Sequence, residues 1–247
     1  MAHIRCDFRS EVLDMNTSMT VVLPEGISLG ERPVFYAFHG LQDNCTGISR
    51  YTSVERYVRK YNAALVIPEV QRSFYIDMAY GLRYFTFIHD ELPKICQGFF
   101  GLSAKPEHNY LMGISMGGYG ALKCVLRTPE RYAGVAALSP SVSLGHEAFL
   151  LGDKFPNEVT SWFGVDGKIP EEDNLFALTE KANPAQMPKV FMACGEQDPF
   201  LEPNSRLAND MQAKGMDVTF RHWEGDHGWA FWDTALQQGI DFLLEGK

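Results

Sequence analysis

The 247-residue chain has no run of basic residues, no window long and apolar enough to cross a bilayer, and no paired cysteine spacing. Each absence excludes a class of protein. Lys and Arg number 22 against 31 Asp and Glu, a formal net charge of -9, and the cations are scattered. Unassisted binding to nucleic acid or to an anionic membrane needs clustered cations, so neither partner is expected. A membrane-spanning helix needs about 20 consecutive apolar residues, and no such stretch occurs. The opening residues, Met1 to Arg9, lack the apolar core of a secretion signal, so none is expected. The cysteines, Cys6, Cys45, Cys96, Cys124 and Cys194, are odd in number and without short spacing. That argues for reduced thiols in a cytoplasmic protein and against a disulfide frame or a zinc site. The glycosylation-type triplets at Asn16 and Asn44 therefore carry no weight. No internal repeat, low-complexity tract or linker divides the chain, and the oligomeric state, homo-oligomer included, stays open.

What the chain does have is core material. It is 45% hydrophobic and 13% aromatic, enough for a sizeable interior, and its 21% charged residues set it apart from disordered compositions. Residues 3–9 and 17–23 read as two strands of an antiparallel hairpin at a sheet edge, closed by the turn at Pro24-Glu-Gly. Pro33 to Phe38 is a continuous apolar run, as expected of a strand buried on both faces. A helical stretch over 49–60 leads to a second buried strand over 63–68. Residues 69–83 are aromatic and loop-like. A helix follows from Tyr84 to Phe100 with Phe85, Ile88, Leu92, Ile95 and Phe99 at helical spacing, and Pro93 marks a kink or a restart. Strands then recur at 109–113, 132–139, 189–194 and 217–223, with helices at 119–126, 204–214 and 228–244. Residues 141–186 break this rhythm and read as a cap-like insertion of short helices and loops over the top edge of the sheet. Strands alternating with helices predict one α/β domain with a mostly parallel sheet.

The stretch from Asn109 to Leu122 organises the rest. It reads as a strand, a glycine-packed turn, and a helix start around Gly113-Ile-Ser-Met-Gly117, the pattern of a nucleophile elbow. The pentapeptide recurs by chance, so its flanks carry the argument: apolar Tyr110-Leu-Met before it, small residues for close helix packing after it. In open α/β sheets reactive groups collect at the carboxyl ends of strands. Ser115, Asp198 and His227 each follow a predicted strand, in the order nucleophile, acid, base. A serine hydroxyl needs a base to attack at neutral pH. Imidazole titrates near neutrality and can serve, and a carboxylate fixes its tautomer. Glu196 is the rival acid but has less loop in which to turn back. Asp226 adjoins His227 and is poorly placed to reach its Nδ1. His222 lies within a strand pattern and reads as structural. His39-Gly40-Leu41 follows the third predicted strand, where an oxyanion hole takes its first donor; the N–H groups of Leu41 and Met116 are the expected pair.

These segments resemble a known family. His39-Gly-Leu, Gly113-Ile-Ser-Met-Gly-Gly-Tyr-Gly-Ala, Cys194-Gly-Glu-Gln-Asp and Asp226-His-Gly-Trp look like the esterase D group, its tributyrin esterases above all. That group also holds S-formylglutathione hydrolases, feruloyl esterases and acetyl-xylan esterases. The likeness covers nearly the whole chain. It implies the α/β-hydrolase fold and hydrolysis of short-chain acyl esters, with Ser115, Asp198 and His227 as the triad and no metal or organic cofactor. The oxyanion loop departs from the pattern: it reads Gly40-Leu-Gln-Asp-Asn where relatives often carry a second small residue. The expected substrate is a small-molecule or carbohydrate-linked ester, acetyl or feruloyl decorations of plant polysaccharides included. His39, Tyr80, Trp162 and Trp229, with Trp232, are candidate pocket residues, although tryptophan in a core or closing helix is the commoner case. The competing readings are a thioesterase for S-formylglutathione, acyl transfer to an alcohol other than water, and a non-catalytic α/β-hydrolase binding module.

Overall fold

The computed structural model describes residues 1–26, 28–144 and 156–245. Its centre is an eight-stranded sheet in the order β1-β2-β4-β3-β5-β6-β7-β8. The strands are β1 (Ala2–Ser10), β2 (Met15–Leu23), β3 (Val34–Phe38), β4 (Ala64–Pro68), β5 (Asn109–Ile114), β6 (Gly134–Leu138), β7 (Lys189–Gly195) and β8 (Val218–Trp223). β1 and β2 form the expected hairpin, in register from Ala2 opposite Leu23 to Ser10 opposite Met15. β2 joins β4 antiparallel, and every other pairing is parallel. β3, β4, β5 and β6 are buried at every residue, as parallel strands covered on both faces must be.

Side chains alternate between two cores. Val34, Tyr36 and Phe38 of β3 and Val190 and Met192 of β7 face one core, with the helices Met116–Arg127 and Leu201–Ala213. Phe35, Ala37, Phe191 and Ala193 face the other, with Val54–Lys60 and the closing helix Trp229–Leu244. The period of two that makes a strand is what feeds both layers.

One expectation needs revision. The predicted helix over 49–60 is two short helices, Gly47–Tyr51 and Val54–Lys60. The break has local causes: Thr52 Oγ1 donates back to Ile48 O, and Ser53 N donates to Asp233 of the closing helix at 2.7 Å. Tyr57 Oη reaches the same carboxylate at 3.0 Å. The helix over 84–100 restarts beside Pro93 as expected: a π-turn at Phe87–Glu91 interrupts it before it resumes at Leu92–Phe100. Pro93 would clash with the carbonyl four residues earlier in a continuous α-helix, and the widened turn removes the conflict. Of the insertion at 141–186, residues 145–155 lie outside the described residues. The described remainder holds the helices Pro156–Phe163 and Leu175–Lys181 and no strand. The sheet order, the parallel centre and the helices on both faces are those of the α/β-hydrolase fold.

Candidate active site

β5 ends at Ile114, and Ser115 follows with φ 55° and ψ -117°, a conformation that L side chains rarely adopt. The strain is held by packing. A Cβ on Gly113 would lie 2.1 Å from Gly117 O, and one on Gly117 would lie 2.0 Å from Phe38 O at the end of β3. Both positions are closed to any side chain, which is the physical content of the glycines in the motif. Ser115 N donates to Leu138 O at 2.9 Å, tying the turn to β6.

His227, beyond β8, stands over the turn. Its Nε2 is 2.9 Å from Ser115 Oγ, and its Nδ1 is 2.8 Å from Asp198 Oδ2. With Nδ1–H donating to the carboxylate, Nε2 is left to accept the serine hydroxyl proton. Asp198 follows β7 and is buried, and its second oxygen accepts Phe200 N at 2.9 Å. Burial pushes its carboxyl up. Hydrogen bonding and charge from His227, with further hydrogen bonds from Ser139 and the Phe200 amide, outweigh that and hold it below the ordinary carboxylate range. Trp232 and Phe200 each stand edge-on to the imidazole with centroids at 4.9 Å. The rival acids are engaged elsewhere. Glu196 Oε1 meets His222 Nδ1 at 3.1 Å, and the Asp226 carboxylate folds back against Gly228.

His39 is fully buried and organises the adjoining loop. Its Nδ1–H donates to Gly40 O at 2.8 Å, and its Nε2 accepts Val70 N–H at 3.2 Å, which defines a neutral tautomer. The loop is thereby pressed against the nucleophile: a Cβ on Gly40 would come 3.7 Å from Ser115 Cβ. Leu41 follows at the cavity wall. Met116 opens the next helix, where first-turn amides have no intrahelical acceptor.

A cavity of about 710 Å³ opens over Ser115 and His227. Among the described residues its wall includes Leu41, Phe74, Phe200, Trp229 and Trp232. Trp229 and Trp232, two of the candidate pocket residues, are thus in the cavity wall. Three other expectations are corrected. His39 lies behind the loop and not in the wall. Trp162 is buried in the flank, its Nε1 donating to Arg72 O at 2.8 Å and its ring 4.5 Å from Phe74. A buried indole N–H needs an acceptor, and it found one away from the cavity. Tyr80 is 61% exposed on the outer loop, away from the wall, where its N–H donates to Ser161 O. Phe74, Phe200, Arg50 and Tyr51 line the cavity and were not anticipated. Phe74 sits on a strained turn (φ 52°, with Tyr75 at 53°), which no sequence pattern announces. Phe200 was the most readable of them, two residues after the proposed acid. Among the described residues no group of three or more His, Cys, Asp or Glu is arranged to hold a metal ion.

Comparison with known proteins agrees with this architecture. The acetyl esterase of Caldicellulosiruptor saccharolyticus is 27% identical over 98% of both chains. The structure of the fluorophosphonate-binding serine hydrolase FphF of Staphylococcus aureus superposes with a TM-score of 0.90 at 30% identity, covering 98% of each chain. The S-formylglutathione hydrolase FrmB of Staphylococcus aureus gives 0.87, also at 30% identity and 98% coverage of each. A ferulic acid esterase at 22% identity, TM-score 0.84, shares the fold. The description "Putative esterase" matches residues 10–243, so nearly the entire chain belongs to that family, and the protein is a carboxylic ester hydrolase.

Proposed function

We propose that the protein is a serine carboxylesterase for short-chain acyl esters, acetyl and butyryl esters first, working through an acyl-enzyme on Ser115. The observation that carries this is the hydrogen-bonded line from Ser115 Oγ through His227 to Asp198 at the floor of an open cavity. In this reading Ser115 Oγ attacks the acyl carbon while His227 Nε2 takes its proton. The carbonyl oxygen becomes an oxyanion and accepts from the Leu41 and Met116 N–H groups; losing one such donor typically costs about 10²–10³-fold in kcat. Collapse expels the alcohol, which leaves with the proton held on His227. Water then repeats the sequence against the acyl-serine and frees the acid. Asp198 stays ionised throughout and steadies the imidazolium.

The acetyl esterase relative supports a short acyl group. The aromatic wall supports substrates whose ester is borne on a sugar or phenol, acetyl or feruloyl groups of plant polysaccharides among them. The described part of the insertion, 156–186, supports the cavity from behind, and in this proposal it limits acyl and alcohol size through the wall it backs. Its helix Pro156–Phe163 backs the cavity wall by packing Trp162 behind Phe74.

The test is a hydrolysis panel with Ser115→Ala beside the wild type: p-nitrophenyl acetate, butyrate and octanoate, methyl ferulate, acetylated xylan and S-formylglutathione. Turnover should fall with chain length and drop by about 10⁴-fold or more in the variant. Turnover that survives in the variant would exclude Ser115 as nucleophile. The thioester belongs in the panel because Arg50, in the cavity lining, is the basic group that an anionic glutathione tail requires.

A further inference from the structure

The side of the cavity next to His227 carries a second set of features that the reaction itself does not use. His227 hands the departing alcohol its proton, so the leaving group must lie on the imidazole side of the acyl carbon. From that imidazole a run of rings leads outward. Trp232 stands 4.9 Å from it, Trp229 stands edge-on 5.2 Å from Trp232, and Tyr51 lies 4.9 Å from Trp229. Tyr51 is 53% exposed, far out of solvent's shelter for a large ring, yet it lines the cavity. Its contribution to the core is small, and its surface is available for stacking.

At the outer end of this run the Arg50 guanidinium stands 5.3 Å from the Tyr51 ring centroid. Among the described residues it forms no ion pair and is the one cation in the cavity wall. In a protein of net charge -9 an arginine placed at the mouth of the site is out of pattern. Asp43 is the carboxylate of the same wall; burial pushes its carboxyl up, and the charge of Arg50 is among the influences that pull it back down. Arg50 and Tyr51 close the helix Gly47–Tyr51, just before the break at Thr52-Ser53.

We propose that Tyr51, Trp229 and Arg50 form a leaving-group subsite that selects esters whose alcohol portion is a flat ring bearing a carboxylate. The ring stacks on Tyr51 and Trp229, and the carboxylate meets the guanidinium. This rests on the esterase reading above and names its alcohol side.

The experiment compares two acetate esters that differ by one charge on the leaving group, para-acetoxybenzoate and para-acetoxybenzamide. The readout is the ratio of their kcat/KM values on the same preparation, so a partly unfolded sample cancels. Arg50→Gln should lower the anion-to-amide ratio by about fivefold, the scale of an exposed ion pair, chiefly through KM for the anion. High salt should lower it in the wild type and not in the variant. Tyr51→Leu should raise KM for both esters together. Turnover of both esters with a ratio that Arg50→Gln does not move, or unaltered KM values in Tyr51→Leu, would overturn the subsite and leave the esterase reading standing. No turnover of either ester by the wild type would overturn both.

Discussion

At the scale of the residue, the account turns on Ser115, Asp198 and His227, and on the two glycines that let the chain turn so sharply around the serine. The spacing of Gly113, Ser115 and Gly117 was legible because only glycine fits where a Cβ would lie about 2 Å from backbone oxygen. The acid was harder, since Glu196, Asp198 and Asp226 all neighbour the right strand ends. What separates them is loop length: Asp198 has three residues beyond β7 in which to turn toward His227, and Glu196 has one. Asp198→Asn should lower kcat by about 10⁴-fold, because an amide leaves the imidazole in the wrong tautomer. The same substitution should alter acid stability. The folded carboxyl is held below its unfolded value of about 3.9, so the folded state binds fewer protons in the window between the two. The ionised group's contribution is therefore complete above the unfolded value and is lost as pH falls through the folded one. Thermal unfolding scanned from about pH 6 to about pH 3 should show a steeper loss of Tm in the wild type than in Asp198→Asn. Equal slopes would mean that the carboxylate is not held as described.

At the scale of the element, one buried ion pair joins three pieces that chain order keeps apart. Lys123, on the inner face of the helix Met116–Arg127, is fully buried. Its Nζ donates to Asp173 Oδ1 at 2.8 Å and to Tyr75 O at 2.6 Å, and Tyr119 Oη donates to Asp173 O at 2.8 Å. The insertion, the strained Phe74-Tyr75 turn and the nucleophile's helix are thus locked to one another. Burial pulls the lysine's pKa down, while Asp173 opposes that. Lys123→Met would leave Asp173 as an unpaired buried charge and should cost about 3–5 kcal/mol. Adding Asp173→Leu should recover much of that loss, because the desolvated charge is gone. Chemical denaturation of both variants reads the outcome, and a double variant no more stable than the single one would contradict it. None of this was visible beforehand. Lys123 falls in the helix expected over 119–126, whose small residues signal close packing and not a buried cation, and the insertion read as a region without rhythm. Apolar period marks which face of an element is buried, but it does not mark a cation that is buried with its partner some 50 residues away. The helix over 49–60 failed for a related reason, since a contact from Asp233, 180 residues downstream of Ser53, settles where it breaks.

At the scale of the whole molecule, the alternation of strands and helices was enough to give the parallel sheet, because strands covered on both faces show as unbroken apolar runs. Placement followed from the fold: the ends of β3, β5, β7 and β8 lie along one edge of the sheet and supply the loop of His39 to Leu41, Ser115, Asp198 and His227. What composition could not show is where the charge goes. A net charge of -9 describes the surface, yet the wall of the cavity carries Arg50. The aromatic lining was only half legible for the same reason. Trp229 belongs to the cavity and Trp162 to the flank, and both are tryptophans on amphipathic helices until tertiary packing separates them. In the proposed mechanism ester hydrolysis passes through an acyl group on Ser115. Acid quenching of the protein during turnover of p-nitrophenyl acetate, followed by peptide mapping by mass spectrometry, tests it most directly. One acetyl group is expected on the peptide containing Ser115, formed in a burst with the first p-nitrophenol and absent from Ser115→Ala. Steady turnover with no acetylated Ser115, or with the acetyl group on another residue, would contradict it.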